Sequence, residues 1–209
     1  MERRGERRER RESRDKKQIR KLTSKQREVM KLVYQFRFAT SQLLAEHVHQ
    51  THTQTMHALL TTLVSYGYLA KRYDSSYRLA HRSAEYYATP QAIHFFRTHI
   101  DGCSERELKQ LYARPATSVR FIDRSLAIFR LYLSLRHIYK DRLHFWTKPM
   151  LNTDTYDHFP TPLPDAHYTI DATSHFFVEY FDSAVSVGIH GRRISALVYY
   201  DESGDWNYK

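Results

Sequence analysis

Residues 23–67 read TSKQREVMKLVYQFRFATSQLLAEHVHQTHTQTMHALLTTLVSYG, and this stretch decides the fold. Thr23 followed by Gln26 has capping-box spacing, in which each side chain satisfies a free backbone N–H of the other residue. Val29, Met30, Leu32, Val33 and Phe36 then recur at helical intervals, which predicts a helix over roughly 24–36. Thr40 has the chemistry of an N-cap for a second, short helix, SQLLAEHVH, with Leu43, Leu44 and Val48 on one face and Phe38 beneath it. A third helix opens near Thr53, turns Met56, Leu59, Leu60, Leu63 and Val64 inward, and stops at Gly67.

Downstream, YLAKRYD and SSYRLAH read as two extended stretches about a tight turn at Asp74, Ser75 and Ser76, a β-hairpin. Thr89 and Pro90 then form an N-cap and N1 pair that opens the helix QAIHFFRTHI. Three short helices followed by a hairpin have the order of a winged helix-turn-helix, expected over 23–100 with the hairpin as its wing. Asp101, Gly102 and Pro115 mark 101–116 as a connector containing the helical string ERELKQLY.

Residues 117–209 form a second expected unit. Val119, Ile122, Leu126, Phe129 and Leu133 predict a helix from Ser118 to about Tyr139, whose other face carries Arg120, Arg124, Arg130 and Arg136. LHFWTK, AHYTID and SHFFVEYF read as strands, with Pro160, Pro162 and Pro164 between the first two, and a last helix is expected from Arg192 to Tyr200. The fold class is therefore α+β, an N-terminal winged helix-turn-helix followed by a small α-β-β-β-α domain.

Composition limits the classes available. A hydrophobic fraction of 41%, with 16 Tyr and 11 Phe, is enough to fill packed cores and excludes global disorder. The lone Cys103 cannot form an internal disulfide, and no apolar run reaches the roughly 18 residues that a membrane span needs. The N-terminal charges are not followed by an apolar core, so no secretory signal is read and a cytoplasmic location is expected. The net charge of +10 is unevenly placed: residues 1–22 carry +6, 23–99 carry +5, 100–150 carry +5 and 151–209 carry −6. A basic front suits phosphate, which the acidic back would repel. Residues 1–22 read as a flexible basic arm, either phosphate-binding or solubilising.

In a helix-turn-helix the third helix presents its N-terminal residues to base edges in the major groove. Thr53, Gln54, Thr55, His57 and Thr61 lie opposite its apolar stripe and are the candidates. Gln pairs bidentately with adenine, and Thr meets a thymine methyl or a phosphate. Arg37, Ser41 and Gln42 at the start of the second helix are candidates for holding a phosphate, and Lys71, Arg72 and Arg78 extend the contact from the wing. A protein-binding module on the same scaffold is the alternative. His47, His49, His52 and His57 are dense but lack the spacing and cysteine partners of a zinc site, so no metal and no cofactor are expected. Asp165 and Glu179 have the arrangement of two carboxylates that hold a catalytic cation, but Phe181 stands where such a site needs a lysine. With no cation at that position and a local charge of −6, a degenerate, non-catalytic site is expected. Arg192 or Arg193 is the residue placed to reach over the strand.

The strings LTSKQREVMKLVYQFRFATSQLLAEHV, LLTTLVSYGYLAKR and YYATPQAIHFF, followed by DRSLAIFRLYLSL, PLPDA, FFVEYFDSA and RRISALVYYDESGDW, together resemble the replication-relaxation family. The resemblance implies a winged helix joined to a degenerate domain related to restriction-endonuclease folds, with YYATPQAIHFF in the position of a strand and the following helix. It implies a non-catalytic DNA-binding accessory protein of plasmid or mobile-element replication or mobilisation. Its partners would be double-stranded DNA, a relaxase or replication initiator, and a second copy of the chain as a homodimer. Asp123 stands where the family has a histidine, and Glu179-Tyr180-Phe181-Asp182 is one residue longer than the family's Glu-x-Asp. A further strand is expected beyond Lys209, so the domain is expected to be truncated. The other readings are a winged-helix transcription regulator with an oligomerising second domain, and a metal-dependent nuclease using Asp165 and Glu179.

Overall fold

The structure is a computed structural model that describes residues 22–49, 53–99, 105–111, 117–151 and 159–204. The expected basic arm lies outside these residues except for Leu22, which is buried and belongs to the folded unit.

Helix α1 (Ser24–Phe36) opens on the capping box: the Gln26 N–H donates to Thr23 Oγ1 at 3.2 Å, and the Thr23 N–H donates to Gln26 Oε1 at 2.9 Å. The chain reverses at Arg37, whose φ is 68°, into a three-residue strand β1 (Phe38–Thr40). Thr40 caps α2 (Ser41–His47), accepting from the Leu43 N–H at 3.4 Å. Helix α3 (Thr53–Ser65) closes at Gly67, where φ is +77° and the Tyr68 N–H returns to the Leu63 carbonyl at 3.0 Å. A Cβ at Gly67 would stand 2.7 Å from Gln91 Oε1, so both backbone and space require glycine.

The hairpin differs from expectation. Strand β2 (Leu69–Arg72) pairs not with SSYRLAH but with β3 (Glu85–Ala88), in the antiparallel register Leu69↔Ala88 to Arg72↔Glu85. SSYRLAH instead contains a short helix α4 (Ser75–Leu79). The cause is Asp74, whose carboxylate accepts from the Ser76 and Tyr77 N–H groups at 2.8 and 3.3 Å and so starts a helix where a bare turn was read. The Tyr77 hydroxyl donates to Glu85 Oε2 at 2.6 Å and pins α4 to β3. On its other edge β3 pairs with β1, giving the order β1-β3-β2.

Helices α5 (Pro90–His99) and α6 (Glu105–Gln110) lead to the long α7 (Val119–Tyr139), which Ser118 caps. A second antiparallel sheet follows, β4 (Leu143–Thr147), β5 (Ala166–Ile170) and β6 (Ser174–Val178), in sequence order, with a short helix α8 (Lys148–Leu151) after β4. The final helix α9 (Val187–Ser203) starts five residues before the expected Arg192 and ends at Gly204, whose φ of 70° closes it. The architecture is thus α+β with two small three-stranded antiparallel sheets.

One hydrophobic cluster runs from α1, α2 and α3 through α7 into β4 and β5. Its centre is Phe36 on α1, stacked on Phe129 of α7 with ring centroids 4.2 Å apart and planes at 1°. Polar ties follow the same seam. Gln35 Nε2 donates to the Phe145 carbonyl at 3.2 Å, and Thr147 Oγ1 donates to the Gln35 carbonyl at 2.7 Å. Arg82 bridges Glu85 at 3.0 Å and Asp123 at 2.6 Å, joining β3 to α7.

Candidate functional site

Two groups of polar side chains stand apart from the core. The first is the outer face of α3. Met56, Leu60 and Leu63 are fully buried, whereas Gln54, Thr55, His57 and Thr61 are exposed on the opposite side, as the 3.6-residue period requires. Thr53 opens the same helix. Lys71 is exposed on β2 beside the Tyr73 ring, and Arg78 is exposed on α4.

The remaining predicted contacts are dispersed. Arg72 is held inside the molecule, its guanidinium donating to the Thr117 carbonyl at 2.8 Å and lying over the Tyr77 ring. Ser41 is buried and Gln42 exposed, while Arg37 points away from both, over the Phe121 ring at 4.9 Å. Burial there pushes the Arg37 guanidinium down to about 10. The expected phosphate-holding trio is therefore split by the chain reversal at Arg37.

The second group is built by the sheet register. Ala166↔Val178 pairing sets Asp165, just before β5, and Glu179, just after β6, at the same end of neighbouring strands. Asp165 is 5% exposed and accepts from the Tyr180 N–H at 2.9 Å. Arg193 of α9 lies 2.7 Å from Glu179 Oε2 and 3.7 Å from Asp165 Oδ1, and Arg124 of α7 lies 3.6 Å from Asp165 Oδ1. Burial raises the Glu179 carboxyl above the ordinary glutamate range, and Arg193 opposes that rise without cancelling it. Lys148, whose N–H donates to the Asp165 carbonyl at 3.0 Å, has its ammonium pushed down by burial, with the Asp165 charge acting the other way.

The expectation that no cation serves this pair is thus overturned: Arg193, Arg124 and Lys148 surround it. Arg193 was placed correctly as a residue that reaches the strand. Phe181 is exposed, its ring 4.7 Å from that of His190. Lys148 and Arg37 were missed because 37, 124, 148 and 165 are distant in sequence and no local spacing links them. They meet in a cleft of about 510 Å³ between α1, α7 and the segments around 148 and 163.

The histidines do not converge. His47 is buried, with Nδ1 2.7 Å from Arg136 Nη1 and its ring stacked on Tyr132, whereas His49 and His57 are exposed; His52 lies outside the described residues. Burial first, then Arg136 and His49, push His47 down to about 4. Glu28 at 3.5 Å from Nε2 would favour the charged ring, but a half-exposed carboxylate is screened and the loss of hydration prevails. Among the described residues no three His, Cys, Asp or Glu side chains are grouped to hold a metal ion, and no helix is long and apolar enough to cross a membrane.

A capped helical front on a small sheet, joined to a second sheet with a cation-bound carboxylate pair, defines a class of two-sheet α+β proteins. Within that class the chain belongs to the replication-relaxation family, whose model matches residues 30–207. Membership supports a role in replication or mobilisation. No curated protein and no solved structure matches the chain.

Proposed function

We propose that this protein is a non-catalytic DNA-binding accessory factor of plasmid or mobile-element replication or mobilisation, acting in the cytoplasm. The observation that carries the reading is the two-sided character of α3: one face is fully buried and the other presents Gln54, Thr55, His57 and Thr61 to solvent. The order α1-β1-α2-α3-β2-β3, with its three-stranded sheet, is the arrangement of a winged helix, in which such a helix enters the major groove. The wing is the β2–β3 pair with its long connection through α4, and it contributes Lys71 and Arg78 to the phosphate backbone. Double-stranded DNA is the primary ligand. A relaxase or replication initiator and a second copy of the chain are the expected protein partners.

The second sheet is read as a degenerate nuclease-like domain. Arg193 and Arg124 already neutralise the carboxylates that a divalent cation would require, and a cation entering there would meet their charge as well as the desolvation of the site. The test is anisotropy of labelled duplex DNA with the full chain and with Gln54→Ala and His57→Ala. Both variants are expected to narrow the difference in affinity between preferred and random DNA. Unchanged discrimination in both would refute the assignment of α3 as the reading helix.

A further inference from the structure

The cleft between α1 and α7 has a composition that duplex binding by α3 does not use. Its charged lining is three cations, Arg37, Arg124 and Lys148, against one carboxylate, Asp165, an excess of +2 in a largely enclosed space. Asp165 is already compensated by Arg124, Arg193 and the Tyr180 N–H. The opposite wall is apolar and flat, formed by Phe121, Ile128 and Pro162. A volume of about 510 Å³ falls within the roughly 300–1,000 Å³ common for small-ligand sites.

A pocket with cations on one side and an aromatic and aliphatic wall on the other fits a ligand that is anionic at one end and planar at the other. Concentrating three cations in a low-dielectric cleft is unfavourable unless an anion balances them, since each loses hydration and repels its neighbours. From this composition we infer that the cleft binds a nucleoside phosphomonoester, the phosphate meeting Lys148, Arg124 and Arg37 and the base lying against Phe121 and Ile128. Two sources share that chemistry, a free mononucleotide and the terminal nucleotide of a 5′-phosphorylated strand. The inference stands independently of duplex reading by α3, because none of the lining residues lies on that helix.

The test is calorimetric titration of the full chain, without duplex DNA, using AMP, adenosine, inorganic phosphate, and a short single-stranded oligonucleotide with and without its 5′-phosphate. Expected is saturable binding of AMP or of the phosphorylated oligonucleotide at least tenfold tighter than of adenosine or the 5′-hydroxyl form. Preference for AMP assigns the free nucleotide; preference for the phosphorylated oligonucleotide assigns a strand end. Lys148→Gln and Arg37→Gln should each lose tenfold or more, Lys148→Arg should retain binding, and Arg142→Gln, at the far end of β4, should be unchanged. Melting curves of each variant separate lost binding from lost fold, and the wild-type comparison needs no variant. Equal affinity for phosphorylated and unphosphorylated probes, or binding that survives both Gln substitutions, would overturn the inference.

Discussion

Replacing Arg193 by Gln tests the carboxylate cluster most sharply, because the guanidinium is 17% exposed and faces Asp165 and Glu179 side chains that are 3% and 8% exposed. Removing one partner of such a buried network leaves charge without compensation, a loss of about 3–5 kcal/mol. At roughly 2–4 °C per kcal/mol for a chain of this size, the melting temperature should fall by about 6–20 °C. The effect should depend on pH in a stated direction. Burial holds the Glu179 carboxyl above its ordinary range, so its stabilising contribution is fully present below the unfolded pKa, about 4.3, and lost as pH rises through the folded value. Arg193 is the group that opposes this rise, so its removal lifts the folded pKa further. The penalty should therefore be largest at neutral pH and shrink as the solution is acidified past the raised value. Urea denaturation of wild type and variant at neutral and mildly acidic pH measures both quantities. A loss below about 1 kcal/mol, or one equal at both pH values, would refute the reasoning.

Phe129→Ala removes a fully buried ring stacked on Phe36 and should cost about 3–5 kcal/mol in denaturant unfolding, with one transition for the whole described chain. His47 and His167 are both held neutral to about 4 by burial, so stability linked to them is present above about 6.5 and declines as pH falls toward the folded values; replacing His47 by Gln should flatten part of that decline in a series of acid melts. Arg72→Ala should lower the melting temperature, because its hydrogen bond to Thr117 is internal, whereas Lys71→Ala should leave stability intact and weaken preferred and random DNA alike. Purified protein should not nick supercoiled, linear or single-stranded DNA with Mg²⁺ or Mn²⁺; nicking abolished by both Asp165→Ala and Glu179→Ala would make it a nuclease.

The front of the fold is legible because its signals are local. Thr23 and Gln26 specify a cap within three residues, and the apolar stripe of α3 fixes which of its side chains remain outside. The returning strand was misread because Tyr77 and Leu79 alternate with polar residues as a strand would, while Asp74 marks a turn and a helix start equally well. The pairing of β2 with Glu85–Ala88 spans a long connection, and only the family resemblance, through YYATPQAIHFF, pointed to a strand there. β1 has three residues, too few for any period to show. In the second half, Asp165 and Glu179 were found by their order on adjacent strands, and Arg193 by its place on the last helix. Arg124 was visible only as one of several arginines on a helix face. Lys148 and Arg37 carry no local signal, since tertiary packing alone brings them to Asp165.

The central claim is that α3 and the wing bind duplex DNA through both bases and phosphates. The measurement that tests it most directly is the affinity of the full chain for duplex DNA between about 50 and 200 mM salt. The account predicts that log affinity falls linearly with log salt, at roughly −0.9 per phosphate contact, and that Lys71→Ala and Arg78→Ala each make the slope shallower by about one. No detectable duplex binding, or an affinity indifferent to salt and to both substitutions, would contradict it.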